Sequence, residues 1–273
     1  MTCESPAAFY GRTAPAASQM HAIVSDIHSN LEALTTVMED IEKHGIKRVL
    51  CLGDVIGYGP DPVACIDIAR GYEFILRGNH EEAVLNGAFG FNPVARAAVD
   101  WTRDQLKPQW YSLNARRARW ELIKDLPLTK EEGTTLFVHG SPRDPTMEYI
   151  LKSDCEDFFG ETPTKIKEIF EMIKGPCYVG HTHFPGVITE EARFYTPNEL
   201  GMKFHLEEGR KYIVNIGSVG QPRDGDNRSS YVIVDGPDIE WRRLQYDHER
   251  TGKKIRAISQ LDDRNGERLQ YGT

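Results

Sequence analysis

The segment Ser25-Asp26-Ile27-His28-Ser29-Asn30 follows a short apolar run, Ala22 to Val24, and precedes an amphipathic pattern that starts at Leu31. An apolar run, a polar turn and an amphipathic run predict a strand, a tight loop and a helix. Asp26 and His28 are two residues apart at the end of the predicted strand, so their side chains can face one point. A carboxylate and an imidazole together suit a borderline divalent cation such as Mn, Fe, Zn or Co. The segment therefore predicts a metal site at the end of the first strand.

Four further polar motifs follow predicted strands later in the chain. Each carries Asp, Asn or His beside Gly or Ser. The motifs are Gly53-Asp54, Arg77-Gly78-Asn79-His80-Glu81, His139-Gly140-Ser141-Pro142 and Gly180-His181-Thr182-His183. The alternation of strands and helices at the start of the chain predicts parallel strands with right-handed crossovers, whose carboxyl ends meet at one edge where ligands bind. Together the five motifs predict a shared metal centre, although each alone would be an ordinary polar turn.

The composition is that of an ordinary globular protein. The 273 residues can bury the core of one large domain, or of one domain with an insertion. A net charge of −8 argues against a general binder of nucleic acids or anionic membranes, but it allows a phosphorylated substrate because bound cations would set the local charge. Five cysteines without a CxxC motif do not require disulfides, and no apolar run approaches the roughly 18 residues of a transmembrane helix. We therefore expect a cytoplasmic protein without a membrane or stable nucleic-acid partner, whose oligomeric state the sequence leaves open.

Three segments of different character are expected along the chain. Residues 1–19 are rich in Ala, Pro and Ser and predict a flexible leader. Residues 20–246 predict an α/β domain, which a helical insertion of about residues 82–128 interrupts. Residues 247–273 predict a C-terminal helical tail.

The second half of the domain predicts a different kind of sheet. Short strand-like runs recur between residues 186 and 244 at a spacing typical of antiparallel pairing. We therefore predict a four-layer αββα sandwich, in which two mixed sheets pack together and helices flank them. The insertion is expected to contain helices from Pro93 to Leu106 and from Pro108 to Leu126, each with proline in its first turn. The segment from Glu148 to Lys174 is expected to be mainly helical.

The five motifs, in this order, resemble those of the calcineurin-like metallophosphoesterase superfamily. They have the forms Asp-x-His, Gly-Asp-x-x-Gly, Gly-Asn-His-Glu, His-Gly and Gly-His-x-His, and the resemblance covers roughly residues 20–247. Residues 57–62 and 215–223 are similar to the bacterial branch that includes small phosphodiesterases and diadenosine-tetraphosphatase-like hydrolases. The resemblance implies two divalent metal ions, with manganese expected first and Fe, Zn, Ni or Co as alternatives. The implied ligands are Asp26, His28 and His183 for the first ion, Asn79, His139 and His181 for the second, and Asp54 as the bridge.

The implied activity is hydrolysis of a phosphoester by in-line attack of a metal-bridging hydroxide, without a covalent intermediate. Two ions about 3.5–4 Å apart can stabilise both the attacking and the leaving oxygen of such a displacement. Asp54 would act catalytically through both ions. His80 would act as a general acid toward the leaving alkoxide, or would stabilise charge near the phosphoryl oxygen. The alternative role for His80 is an orienting hydrogen bond only.

Two positions depart from the pattern of the related protein phosphatases. Those enzymes carry an acidic residue three positions after the bridging aspartate and a phosphate-gripping arginine next to it, where this chain has Gly57 and Tyr58. The departures favour a phosphodiester or nucleotide substrate, such as a dinucleoside polyphosphate, over a phosphoprotein or a small phosphomonoester. They also leave the group that orients His80 unidentified. A protein-binding scaffold of the same fold is the alternative outside enzymes, but such a scaffold is expected to lose ligands that this chain keeps.

Other groups must then hold the substrate. Arg223 is the main candidate, with Gln221 and Tyr58 as further contacts. The alternative role for Arg223 is that of a solvent-exposed turn residue. Arg77 is expected to form a structural ion pair, and Asn215 is expected to form a turn rather than to bind metal.

Overall fold

The computed structural model describes residues 20–156 and 162–273, and the predicted leader of residues 1–19 lies outside them. Within these residues the chain forms two six-stranded sheets. The strands are β1 His21–Val24, β2 Arg48–Cys51, β3 Phe74–Ile75, β4 Thr129–Glu132, β5 Thr135–Val138, β6 Cys177–Val179, β7 Gly186–Thr189, β8 Phe194–Tyr195, β9 Lys203–His205, β10 Tyr212–Asn215, β11 Ser229–Asp235 and β12 Asp238–Leu244. The helices are α1 Leu31–Lys43, α2 Pro62–Ala69, α3 Asn79–Asn86, α4 Pro93–Leu106, α5 Asn114–Asp125, α6 Thr164–Met172, α7 His248–Arg256 and α8 Arg264–Glu267, with 3₁₀ turns at Lys152–Cys155 and Arg268–Gln270.

Both sheets mix parallel and antiparallel strands. The first has the order β3-β2-β1-β11-β12-β9, and the second has the order β4-β5-β6-β10-β7-β8. β1, β2 and β3 are parallel because α1 and α2 connect them, and β11 joins β1 antiparallel with His21 opposite Val234. In the second sheet, β5, β6 and β10 are parallel. Of the strands that carry the polar motifs, three therefore run parallel in one sheet and two run parallel in the other.

Apolar side chains fill the layers between these elements. The cluster between the two sheets includes Ile23, Leu50, Phe137, Tyr178 and Val232. A second cluster packs α1 against the outer face of the first sheet, and a third packs α6 against the second sheet. Each fully buried Leu, Ile or Phe stabilises such a layer by about 1.5–3 kcal/mol. This arrangement is the predicted four-layer αββα sandwich, so the predicted fold class is confirmed.

Two helical segments differ from the sequence-based expectation. α4 spans Pro93 to Leu106 as expected, but α5 begins at Asn114 and not near Pro108. A turn precedes it, in which the Ser112 hydroxyl accepts the main-chain N–H of Gln109 at 2.7 Å. The described part of the segment from residue 148 to 174 is helical only in the first 3₁₀ turn and in α6. The Asp154 carboxylate accepts the Leu151 N–H at 2.7 Å, and such a local bond favours a turn over a continuous helix.

The C-terminal residues fold back onto the start of α1. The Thr251 hydroxyl donates to Asn30 Oδ1 at 3.0 Å, and Lys254 donates to Glu32 at 2.9 Å. A small apolar cluster joins α7 and the following turns to α4 through Ala98, Ile255, Leu261 and Leu269. The described residues include no helix that is both long and apolar enough to span a membrane.

Candidate metal centre

The polar residues in the loops after β1, β2 and β6 adopt an unusual backbone conformation. Positive φ angles of 49° to 64° occur at Asp26, His28, Asp54, His181 and His183. Positive φ is unfavourable for residues that carry a Cβ, so tertiary contacts must hold these turns. The Asp26 N–H donates to the Gly53 carbonyl at 3.0 Å, and the His28 N–H donates to the Asp54 carbonyl at 2.9 Å. Backbone strain is thus concentrated where the polar side chains converge.

Three groups of side chains at this edge could each hold a metal ion, because the ligand atoms of each group lie within 4.8 Å of one another. The groups are Asp26-His28-His183, His28-Asp54-His80 and Asp54-His139-His181. Asp54 Oδ2 lies 3.7 Å from His28 Nε2 and 3.4 Å from His139 Nε2. Asn79 joins the third group through its Oδ1, which lies 3.1 Å from His139 Nε2. The structure therefore brings the seven predicted ligands together with Asp54 between the two halves, and we call these seven the metal centre.

Main-chain carbonyls orient His28 and His183. The Nδ1–H of His28 donates to the Ile56 carbonyl at 3.3 Å, and the Nδ1–H of His183 donates to the Gln221 carbonyl. Because a carbonyl only accepts, both rings turn an unprotonated Nε2 inward, and these two atoms lie 3.0 Å apart. Asp26 Oδ1, which has no hydrogen-bond partner among the described residues, lies 3.1 Å from His183 Nε2. Three lone-pair-bearing atoms that face one another in a buried site fit a bound cation.

The other half of the metal centre is oriented in the same way. The Nδ1–H of His139 donates to the Leu52 carbonyl at 3.1 Å, and the Nε2–H of His181 donates to the Met147 carbonyl at 3.2 Å. His139 thus presents Nε2, and His181 presents Nδ1, to the centre. The Tyr149 ring stacks on His181 with centroids 3.8 Å apart, which fixes the plane of the imidazole. Outer contacts of this kind hold metal-binding histidines in place.

The charge states of the buried groups also suit cation binding. Burial alone would raise the pKa of Asp26, but His183 outweighs it and holds that pKa well below its usual range. Asp54 is also held ionised, because the charge of His139 outweighs burial and lowers its pKa. Burial lowers the pKa of His181 to about 3, so that ring is neutral. His139 is the exception, since Asp54 overcomes burial and raises its pKa to about 9, and a bound cation would displace that proton.

Glu81 holds the loop that carries Asp54. Its carboxylate accepts the main-chain N–H groups of Asp54 at 2.8 Å, Ile56 at 3.2 Å and Gly78 at 2.9 Å. Gly78 must lack a side chain, because a Cβ there would lie 2.1 Å from Asp54 Oδ1. No role was predicted for Glu81. Its role could have been predicted from its place as the third residue of α3, because an acidic residue there often accepts main-chain N–H groups at the start of a helix.

Aromatic packing orients His80. Its main-chain N–H donates to Asp54 Oδ1 at 2.9 Å, and its ring centroid lies 4.5 Å from Tyr58 and 5.1 Å from Phe91. His80 Nδ1 is buried and has no hydrogen-bond partner in the described residues. A Cβ at Gly57 would lie 2.0 Å from this atom, so an acidic residue at position 57 would displace the imidazole. Burial lowers the pKa of His80 to about 4, and the ring is therefore neutral at pH 7.

An outer wall of Tyr58, Tyr149, Arg223 and Arg268 borders the metal centre. The Tyr58 ring lies 4.9 Å from that of His28, and the Arg223 guanidinium carbon lies 5.8 Å from the Tyr58 ring centroid. Arg223 also interacts with the Tyr149 phenol. Burial, and then the charge of Arg223, lower the pKa of the Arg268 guanidinium. Arg268 was not predicted as a site residue, because it lies in the C-terminal tail outside every motif.

Two other predicted residues have defined structural positions. Gln221 is 2% exposed, its carbonyl accepts from His183, and its side-chain oxygen accepts a terminal N–H of Arg223 at 2.7 Å. The geometry thus gives Gln221 an orienting position behind both groups. Arg223 is half-buried with its Nε inaccessible, unlike a solvent-exposed turn residue. Arg77 forms the expected ion pair, with Glu82 at 3.2 Å.

The sequence model of the calcineurin-like phosphoesterases matches residues 22–215, which include every loop of the metal centre. The chain belongs to this family. A calcineurin-like relative with a solved structure, a metallophosphoesterase from Sphaerobacter thermophilus, is 33% identical with a TM-score of 0.77, and the match covers 94% of this chain and all of that one. An uncharacterized protein of Methanocaldococcus jannaschii is 36% identical over 93% of this chain and 98% of its own length. A hypothetical protein from Pyrococcus horikoshii shares the fold, with 18% identity and a TM-score of 0.69 over 93% of this chain and 98% of that one.

Membership confirms the predicted superfamily and the predicted enzyme class. Calcineurin-like phosphoesterases hydrolyse phosphoester bonds and bind divalent metals. The donor set described above could hold such ions in this chain. The identity of the metals, the role of each ligand and the substrate stay predictions.

Proposed function

We propose that this chain is a two-metal phosphodiesterase that hydrolyses nucleotide-type phosphoesters such as dinucleoside polyphosphates. The observation that carries the proposal is the position of Asp54 Oδ2, which lies 3.7 Å from His28 Nε2 in one half of the centre and 3.4 Å from His139 Nε2 in the other, so that one carboxylate could serve two ions. The first ion would be held by Asp26, His28 and His183, the second by Asn79, His139 and His181, and Asp54 would bridge them.

The donor set decides which ions fit. Imidazole nitrogens with two carboxylates and one amide oxygen suit borderline first-row cations, so we expect manganese first and Fe, Zn, Ni or Co as alternatives. The absence of cysteine from the ligand groups argues against a closed structural zinc site. Two bound divalent cations would withdraw charge from a phosphoryl oxygen and acidify the attacking water.

His80 would serve the leaving group. One of its ring nitrogens lies within 4.8 Å of ligand atoms of His28 and Asp54, which is near enough to reach a phosphoester oxygen bound at the centre. Burial keeps the ring neutral at pH 7 before the substrate binds. An anionic phosphoester bound beside the ring favours the imidazolium, which we expect to donate its proton to the leaving alkoxide and so return to the neutral form. The packing of Tyr58 and Phe91 holds the ring in place for this role.

The surroundings of the centre support a diester or nucleotide substrate. Where the related protein phosphatases carry an arginine, this chain carries Tyr58, whose ring packs against that of His80. This position therefore offers an aromatic surface and no positive charge. Arg223, whose guanidinium carbon lies 5.8 Å from the Tyr58 ring centroid, would supply the positive charge. We therefore place phosphoproteins and small phosphomonoesters second, and we keep the expectation of a cytoplasmic enzyme.

Turnover of bis-p-nitrophenyl phosphate and of p-nitrophenyl phosphate, with manganese, tests the proposal. We expect a higher kcat/KM for the diester, release of nucleotides from a dinucleoside tetraphosphate, and about two manganese ions per chain by elemental analysis. A preference for the monoester would replace the diesterase by a phosphatase. A chain that retains no transition metal and cleaves neither ester would leave only the scaffold alternative.

A further inference from the structure

The C-terminal tail contributes Arg268 to the outer wall of the metal centre. α7, the turn after it and the last 3₁₀ turn pack against α4, and Tyr58 packs against the same small apolar cluster. The loop after Arg223 binds the tail directly, because the Gly225 N–H donates to the Gly272 carbonyl at 2.9 Å and the Asn227 amide donates to the Gln270 carbonyl at 3.1 Å. These bonds tie the segment around Arg268 to the loop that follows Arg223.

A cavity of about 370 Å³ lies between the tail and the insertion. Tyr58, Pro93, Arg264, Asn265 and Arg268 are among its lining residues. The Tyr58 ring also contacts the imidazoles of His28 and His80, so this one side chain borders both the cavity and the metal centre. A ligand bound at the metal centre could therefore extend past Tyr58 into the cavity.

Arg268 and Asn265 line this cavity, and the guanidinium carbon of Arg223 lies 5.8 Å from the ring centroid of Tyr58, which also lines it. No Asp or Glu side chain of residues 20–156 and 162–273 forms an ion pair with Arg223 or Arg268, although Arg264 pairs with Asp262 at 2.8 Å. Arg268 Nε donates only to the Thr273 main-chain oxygen, which leaves its terminal nitrogens available. The Asn265 amide nitrogen is buried and lacks a partner within the same residues, and the whole residue is 2% exposed.

Two neighbouring guanidinium groups that lack a carboxylate repel each other in a partly buried site. Burial and the charge of Arg223 together lower the pKa of Arg268 to about 10, so Arg268 still carries its charge at pH 7. A phosphate would relieve the repulsion, because it can accept bidentate hydrogen bonds from each guanidinium. The amide of Asn265 could donate to the same anion.

We propose that Arg268, Arg223 and Asn265 form a second phosphate subsite next to the metal centre, which binds a phosphate group adjacent to the one that is cleaved. The proposed substrate is therefore a phosphoester with a polyphosphate chain, and a single isolated phosphodiester would leave the subsite empty. This inference rests on the proposed hydrolysis at the metal centre, and it adds the C-terminal tail as the element that selects the substrate.

The kinetic test compares two substrates on the metal-loaded full chain. We expect Arg268→Gln to lower kcat/KM for a dinucleoside tetraphosphate by about tenfold more than for bis-p-nitrophenyl phosphate, mostly through KM, because a charge-assisted hydrogen bond to phosphate is lost. Arg256→Gln is the matched control, since Arg256 is an exposed arginine of the same tail that does not line the cavity. Equal losses on both substrates in Arg268→Gln would overturn the subsite.

A binding test separates this inference from the proposed function. Adenosine diphosphate and adenosine monophosphate differ by one phosphate, and isothermal titration of the manganese-loaded parent is expected to give about tenfold tighter binding of the diphosphate. Arg268→Gln, with folding checked by circular dichroism, is expected to lose that preference. Equal affinities in the parent would overturn the subsite even if the chain is an active hydrolase. A preference for the diphosphate in a chain that cleaves no ester would support the subsite and contradict the proposed function.

Discussion

The metal centre and the outer wall lie side by side, but different parts of the chain form them. Each predicted ligand of the metal centre lies in, or directly after, a loop that follows a strand. The pairing of the strands in the sheets fixes where each of these loops begins. The outer wall draws Tyr58, Tyr149, Arg223 and Arg268 from three loops and the C-terminal tail. Under the proposed function, the scaffold would set the chemistry, and the peripheral segments, which can vary without disturbing the sheets, would set the substrate. Variants should therefore divide into those that remove metal and turnover and those that change substrate choice alone.

The largest effect is expected from Asp54→Asn. The amide keeps the shape but removes the charge that two ions would share, so we expect loss of at least one metal per chain. Turnover of bis-p-nitrophenyl phosphate should fall by about a thousandfold, which corresponds to roughly 4 kcal/mol of lost transition-state stabilisation. Elemental analysis and kcat measure the two effects. Asp100→Asn, on the exposed face of α4, is the matched control, and unchanged metal content in Asp54→Asn would refute the bridging role.

His80→Ala tests the residue that touches both regions. His80 contacts Asp54 through its main chain and Tyr58 through its ring, but it is not needed as a metal ligand. We expect metal content to be retained and kcat to fall by about a hundredfold, within the range that general acid catalysis usually contributes. The loss should be smaller for substrates whose leaving group needs no proton, such as bis-p-nitrophenyl phosphate. A variant as active as the parent on both substrate types would remove the assignment.

The contrast between the two regions also explains what could be predicted from sequence. Asp26, Asp54 and His139 could be placed because an apolar run before each one predicts a strand, and parallel strands end together. Arg268 could not, because tertiary contacts of the C-terminal tail with α4 and with the loop after Arg223 determine its position, and no sequence spacing encodes them. The predicted start of α5 was wrong for a similar reason, since the turn before the helix contains a hydrogen bond from the main-chain N–H of Gln109 to the Ser112 hydroxyl, which the preceding proline does not predict.

Arg223→Gln is expected to raise KM with little change in metal content. The change removes a cation that lies 5.8 Å from the Tyr58 ring and beside the Tyr149 phenol, but it leaves the ligands and their carbonyl partners in place. One lost charge-assisted hydrogen bond corresponds to about a tenfold rise in KM for a nucleotide substrate. Arg193→Gln, remote from the site, controls for the loss of one positive charge. A fall in metal content would place Arg223 in the metal centre and so break the division between the two regions.

The smallest effect is expected from loosening the tail with Lys254→Met. Lys254 donates to Glu32 at 2.9 Å and also pairs with Asp61, so the variant leaves two carboxylates facing each other. We expect a loss of about 1 kcal/mol in the free energy of unfolding and faster hydrogen exchange from Arg264 to Gln270, at unchanged metal content. Lys253→Met is the matched control, because Lys253 is exposed and lies 4.0 Å from its only carboxylate partner in the described chain.

The pH dependence of the stability that Lys254→Met loses follows from the pKa of Lys254. Burial alone would lower the pKa of Lys254, but Asp61 and Glu32 outweigh it and raise that pKa above its usual value. A raised lysine pKa stabilises the fold fully below about pH 10.4, and the contribution disappears as the pH rises through the folded-state pKa. The stability difference between parent and Lys254→Met should therefore be constant from about pH 7 to 9 and shrink only above about pH 10.5. A difference that vanished near neutral pH would mean that the charge of Lys254 does not help to hold the tail.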